Sequence, residues 1–198
     1  MIRNLIFDVG SVLIGYRWKE MLTDDFGADP AISEDLGRAI FDDPIWNDFD
    51  RGVCDEKEAV DHYCRRFPEH EDLLRRFFDE AERMLVKRET VWDRIAALKE
   101  KGYKIYILSN YSEYLFKKHT DGLPFIDLAD GAVVSYEIGM LKPEKGIYEH
   151  LLEKYGLLPE ECIFYDDRSV NVEGAKALGI ESYLITSEED LLEKIGKL

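Results

Sequence analysis

Five short apolar runs recur along the chain, and four of them end on a polar residue. Residues 2–8, IRNLIFD, close on an acid just before Gly10; residues 103–109, YKIYILS, close on a serine. Residues 132–135 (AVVS) and 162–166 (CIFYD) close on a serine and an acid, and residues 181–185 (ESYLI) are the last run. Apolar runs of this length, with no sustained polar alternation, predict strands buried on both faces. Helical spacing fills the gaps. Val91, Trp92, Ile95 and Leu98 share one face over 90–101, with Gly102 as a stop. Ile147, Tyr148, Leu151 and Leu152 do the same over 143–155, with Pro143 in the first turn and Gly156 at the end. A short helix over 169–178 runs to Gly179, and Ser187 starts a helix over 187–196. Alternation of this kind predicts an α/β fold, a Rossmann-like doubly wound parallel sheet covered on both faces.

Residues 15–86 break the rhythm. They are poor in β-branched residues and rich in Glu, Asp, Arg, Leu and Phe, and 30–41, 55–67 and 69–86 read as helices around Pro44 and Gly52. The expected organisation is a core of 1–14 and 87–198 with a small all-helical insertion over 15–86, free of strands.

Charge narrows the partners. With 26 Lys and Arg against 42 Asp and Glu, the formal net charge is −16, which argues against a nucleic-acid backbone. A small anion remains compatible, because a metal or a local cation cluster overrides net charge. No run approaches the roughly 20 apolar residues of a membrane span, and the acid-bearing N-terminus does not read as a signal peptide. The expectation is a cytoplasmic protein with no membrane or nucleic-acid partner. Cys54, Cys64 and Cys162 fit neither a disulfide framework nor a zinc site. His62, His70, His119 and His150 match no ligand spacing and read as structural or surface residues.

The chemistry lies at the strand ends. Asp8, then Ser109 and Asn110, then Lys142 after the third run, then Asp166 and Asp167 follow successive strands. A doubly wound sheet binds its ligands outside the carboxyl ends of its strands, so these distant residues are expected to meet. Carboxylates, a hydroxyl and a lysine are what phosphoryl transfer uses: a nucleophile, oxygen ligands for a hard metal, and donors for the equatorial oxygens. Adjacent acids such as Asp166 and Asp167 repel unless a cation sits between them, and oxygen ligands favour magnesium over zinc.

The segments IFDVGSVL, ILSN, GMLKPEKGIY and IFYDDRSVNVEGAKALGI, in this order and spacing, resemble the four motifs of the haloacid dehalogenase-like hydrolase superfamily. The insertion stands where that family's helical C1 cap stands. Within the family, the pattern is most similar to bacterial sugar-phosphate phosphatases resembling alpha-D-glucose-1-phosphate phosphatase. The resemblance implies a magnesium-dependent phosphatase of a small phosphorylated metabolite, acting through an aspartyl-phosphate. By the same resemblance Asp8 is the nucleophile, and Ser109, Asn110 and Lys142 hold the phosphoryl group. Mg2+ would sit on Asp8, the Gly10 carbonyl, Asp167, and Asp166 directly or through water. The cap would set specificity, with Tyr16, Arg17, Trp18, Trp46, Asp50 and Arg51 as candidate contacts; Arg17 and Trp46 are the leading substrate contacts. Arg168 and Asn171 would steady the acidic loop or reach the edge of the active site.

One position departs from the family. Most of its phosphatases carry an aspartate two residues after the nucleophile as general acid and base; here it is Gly10. Loss of acid–base help costs typically ~10²–10⁴-fold. Three alternatives stay open: a haloacid dehalogenase, which needs no metal; a phosphonate hydrolase, which needs a cap lysine such as Lys19 or Lys57; and a non-catalytic binder of a phosphorylated ligand.

Overall fold

The computed structural model describes residues 1–198. The chain holds seven strands: β1 (Asn4–Phe7), β2 (Ile14–Tyr16), β3 (Leu85–Lys87), β4 (Lys104–Ser109), β5 (Gly131–Val134), β6 (Cys162–Asp166) and β7 (Glu181–Leu184). Five of them form one parallel sheet in the order β5-β4-β1-β6-β7. The chain winds outward from β1 to β4 and β5, then crosses back to β6 and β7. The reversal falls beside β1, which places a crevice at the ends of β1, β4 and β6.

The apolar runs bury both faces. Leu5, Phe7, Ile105 and Ile107 enter a 36-residue cluster on one side. Ile6, Tyr106, Leu108 and Phe164 enter an 11-residue cluster on the other. Helices Glu89–Glu100 and Glu188–Ile195 cover the first face, through Trp92, Ile95 and Leu191. Helices Lys145–Tyr155 and Ser169–Lys176 cover the second, through Ile147, Tyr148, Leu151 and Ala175. Gly156 ends the former helix in the left-handed conformation (φ 64°), the position that glycine enters without steric cost. That helix starts at Lys145 rather than in the Lys142–Pro143 segment, whose peptide bond is cis.

Between β2 and β3 the chain is almost wholly helical. The main helices are Pro30–Phe41, Pro44–Asp50, Glu56–Arg66 and Glu71–Asp79. Asp29 and Asp43 cap the first two, each followed by proline in the first turn, and Asp55 forms a capping box with Glu58. Trp46, Phe41, Phe49, Phe78 and Tyr63 pack as an aromatic cluster within this segment. The expectation of no strands over 15–86 needs correction, because β2 and β3 pair as an antiparallel ribbon at its two ends. Each strand is only three residues long, and β2 contains Gly15, so neither gives an apolar run. No helix is long and apolar enough to cross a membrane.

Candidate active site

The crevice opens into a cavity of about 640 Å³, lined by the sheet edge on one side and the helical insertion on the other. Asp8 follows β1 directly and is buried. Its Oδ1 accepts three hydrogen bonds: from Ser109 Oγ at 2.6 Å, from the Val9 amide at 2.7 Å and from Lys142 Nζ at 2.9 Å. Those three donors fix the carboxylate and leave Oδ2 with free lone pairs toward the cavity. Burial raises the Asp8 carboxyl to about 7; Asp166 and Asp167 push in the same direction, while Lys142 and the Ser109 hydroxyl oppose it.

Lys142 is fully enclosed, and each of its three N–H bonds has an acceptor. It reaches Asp166 Oδ2 at 2.6 Å, the Leu108 carbonyl at 2.8 Å and Asp8 Oδ1. Burial alone would pull its pKa down, but Asp166 and Asp8 outweigh this and hold it above the ordinary lysine value. Asn110 sets the position of that lysine. Its side-chain amide donates to the Lys142 carbonyl at 2.9 Å and accepts from the Lys142 amide at 2.8 Å. The Asn110 side chain is therefore committed to the loop.

Asp166 is the most enclosed acid of the site. Oδ1 accepts from the Arg168 amide (2.8 Å) and Asn171 Nδ2 (2.9 Å), and Oδ2 accepts from Lys142. Asp167 has no side-chain partner and faces the cavity; burial raises its pKa, with Asp166 adding to the effect. Carboxylate oxygens of Asp8, Asp166 and Asp167 lie within 4.8 Å of one another. The buried side-chain oxygen of Asn171, Oδ1, has no hydrogen-bond partner. Its orientation is forced, since Asp166 can only accept and so takes the NH2 end. An all-oxygen donor set plus an orphaned buried acceptor suits a hard divalent cation and its bound water, and offers no thiolate or imidazole for a softer one.

Gly10 sits in the turn after β1, and Ser11 beside it is the one non-glycine residue with positive φ (57°). Arg88 holds that turn by donating to the Ser11 and Val12 carbonyls at 2.7 and 2.9 Å. A side chain at Gly10 would meet Tyr16 at once: its Cβ would lie 3.0 Å from the Tyr16 hydroxyl. The space beside Gly10 is taken by Tyr16, from the edge of the insertion.

The other candidates separate. Tyr16, Trp18, Trp46, Asp50, Arg168 and Asn171 line the cavity. Arg17 does not: its guanidinium turns away to Asp25 at 2.8 and 3.1 Å, and the expectation of a substrate contact is corrected accordingly. Arg51 is likewise taken up, by Glu144 and by the Gly139 carbonyl. His119, read from sequence as structural or surface, is buried against the cavity and bonds Tyr111. Sequence reasoning had no means to find Tyr111, His119 or Arg88, which lie in no motif and meet the site only through packing.

A carboxylate held open at the end of a central parallel strand is suited to catalysis, and likeness to known proteins gives its class. Residues 2–179 match the haloacid dehalogenase-like hydrolase family. The chain belongs to that family and is a hydrolase. It is similar to D-ribitol-5-phosphate phosphatase of Bacteroides thetaiotaomicron, at 26% identity over 92% of this chain and 91% of that one. It is similar to a sesquiterpene phosphatase of Aspergillus oryzae, at 27% over 91% and 88%. Drimenol cyclase of Aspergillus calidoustus also matches at 26% identity, but this chain spans only 37% of its length. Among solved structures, a HAD family enzyme of Bacteroides thetaiotaomicron in magnesium complex superposes with a TM-score of 0.75 at 26% identity, over 94% of each chain. A predicted HAD-like hydrolase of Porphyromonas gingivalis shares the fold (TM-score 0.76, 24% identity, covering 100% and 97%).

Proposed function

We propose that this hydrolase removes the phosphoryl group from a small phosphorylated metabolite, possessing a polyol- or sugar-sized leaving group, through an aspartyl-phosphate on Asp8. That it is a phosphoric monoester hydrolase rests on its family and on phosphatases among its relatives. The observation that carries the mechanism is the Asp8 carboxylate, with Oδ1 pinned by three donors and Oδ2 free. A nucleophile fixed in this way attacks without reorganising. Ser109 and Lys142 hold Asp8 and stand beside the incoming phosphoryl oxygens, where a lysine offsets developing negative charge. Asp8, Asp167 and the Gly10 carbonyl would hold magnesium, with Asp166 and Asn171 fixing the loop behind them. Magnesium, when bound, screens the phosphoryl charge from the three carboxylates. Residues 15–86 serve as the cap: they roof the cavity, exclude water and set the leaving-group pocket with Trp18 and Trp46.

The phosphonate alternative loses its support. Lys19 pairs with Glu34 and Lys57 with Asp61 on the exposed surface, and neither lines the cavity that holds Asp8. The haloacid alternative leaves the three-carboxylate cluster without a purpose.

The test is phosphate release from a panel of sugar, polyol and aryl phosphates, with magnesium, with chelator, and with Asp8→Asn. Magnesium-dependent release that vanishes in Asp8→Asn is the expected result. A folded protein that releases phosphate from no ester, or that releases it undiminished after Asp8→Asn, overturns the reading.

A further inference from the structure

Gly10 leaves the reaction without its usual proton donor, and the cavity holds two groups that could replace it. Tyr16 is the nearer to the vacated space. Its proton, however, is already assigned. His119 Nε2 faces the Ala81 carbonyl at 3.1 Å, and a carbonyl only accepts, so Nε2 carries the proton. Burial holds His119 down to about 4, so the ring is neutral and Nδ1 is an acceptor. Tyr111 must then donate to Nδ1 at 2.8 Å, and Tyr16 must donate to Tyr111. The chain of hydrogen bonds runs away from the cavity, and Tyr16 turns a lone pair toward it.

Asp50 is the other group. It ends helix Pro44–Asp50 of the insertion, is buried, and lines the same cavity as Asp8. Its position is fixed by the core. The Asp50 carbonyl accepts from Ser135 Oγ at 2.5 Å, and that hydroxyl in turn accepts from the Tyr111 amide at 2.8 Å. Arg51 bonds Glu144 and the Gly139 carbonyl, and at Gly52 (φ +71°) a Cβ would come within 2.9 Å of the Tyr136 carbonyl. Three consecutive residues thus clamp the insertion onto the sheet edge and deliver one carboxyl into the crevice. In-line attack by Asp8 sends the leaving oxygen away from Asp8, toward the side that the insertion roofs.

We infer that Asp50 is the general acid and base of this enzyme, supplied by the cap in place of the residue missing at position 10. This rests on the phosphatase reading. As Asp8 attacks phosphorus and the ester P–O bond breaks, the Asp50 proton passes to the leaving alkoxide, giving an alcohol and the Asp50 carboxylate. Water then attacks the aspartyl-phosphate. Its proton passes to Asp50, the P–O bond to Asp8 breaks, and phosphate leaves with both acids restored. Burial raises Asp50 to about 7, so that it can carry a proton near neutrality. The Ser112 amide, Arg168 and Lys142 oppose that rise; Asp8 reinforces it, and Tyr16 and Tyr111 face it as neutral phenols.

Asp50→Asn keeps the size of the side chain and separates the roles. An alkyl phosphate needs a protonated leaving group; p-nitrophenyl phosphate barely does. The expected loss in kcat/KM, which reports only the steps up to formation of the aspartyl-phosphate and so isolates the acid role, is roughly 10²–10³-fold for the alkyl ester and under about 10-fold for the nitrophenyl ester. Equal losses on both esters, or none on either, overturn the assignment. If Asp50→Asn does not fold, the unmodified enzyme decides. A nearly flat dependence of kcat/KM on leaving-group pKa, from nitrophenol to alkanol, supports an acid in the cavity, and a steep one refutes it. Failure of the wild type on every ester would instead strike the phosphatase reading, leaving the two failures distinct.

Discussion

The two walls of the cavity are built on different principles. On the sheet side, Asp8, Ser109, Lys142 and Asp166 follow strand ends and bond one another directly, with Lys142 as the hub. On the insertion side, Asp50 and Tyr16 take their positions from contacts with core segments far away in sequence, Ser135 with Asp50 and Tyr111 with Tyr16, and His119 backs Tyr111 from behind. The first wall is an ionic lattice whose parts depend on each other. The second is a docked surface that can be loosened without destroying the nucleophile. The difference teaches that the cleavage chemistry and the proton supply are separable in this molecule.

The largest effect that sharpens the contrast is on the sheet side. Lys142→Met leaves Asp8 and Asp166 buried without their shared cation. Breaking a buried pair in this way costs about 3–5 kcal/mol, read as a lower urea midpoint, with turnover lost as well. Magnesium should restore more stability to this variant than to the wild type. An unchanged midpoint would show that the lattice is not cooperative.

On the other wall, His119 ties stability to pH. Its folded value of about 4 lies below the ordinary 6.5, so its contribution is full above pH 6.5 and is lost as pH falls toward 4. At 1.36 kcal/mol per unit the loss is on the order of 3 kcal/mol. Urea titrations across that window should show it, and His119→Gln should flatten that part of the profile. A profile identical in the two proteins contradicts a neutral, buried His119.

Loosening the clamp is milder still. Arg51→Ala removes a half-exposed ion pair and should cost under about 1 kcal/mol. Because the clamp positions Asp50, kcat/KM on alkyl phosphates should fall several-fold while that on nitrophenyl phosphate is little affected. Smallest of all is Arg17→Ala, which should leave KM unchanged because the guanidinium pairs with Asp25 outside the cavity. A raised KM would return Arg17 to the substrate site.

The same contrast explains what was legible in the sequence. The five parallel strands and the helices that cover them announce themselves, because burial on both faces demands continuous apolar runs and amphipathic spacing. The strand-end chemistry is legible for the same reason: position in the fold follows from position in the run. The ribbon of β2 and β3 was hidden by its length. Helix Pro44–Asp50 was passed over because its seven residues are too few to display a period. Asp50 stood among six cap candidates with nothing to single it out, since its place depends on the Ser135, Glu144 and Tyr136 segments of the core. Arg17 was misplaced because the sequence around an arginine carries no sign of which acid it will meet; here it is Asp25.

The central claim is a covalent phosphoryl group on Asp8. It is tested most directly by an acid-quenched single turnover with radiolabelled phosphate ester, followed by mapping of the labelled peptide. The account predicts label on the peptide that contains Asp8, formed in the presence of magnesium and absent from Asp8→Asn. Phosphate released at full rate with no label on the protein, or label that persists in Asp8→Asn, would contradict it.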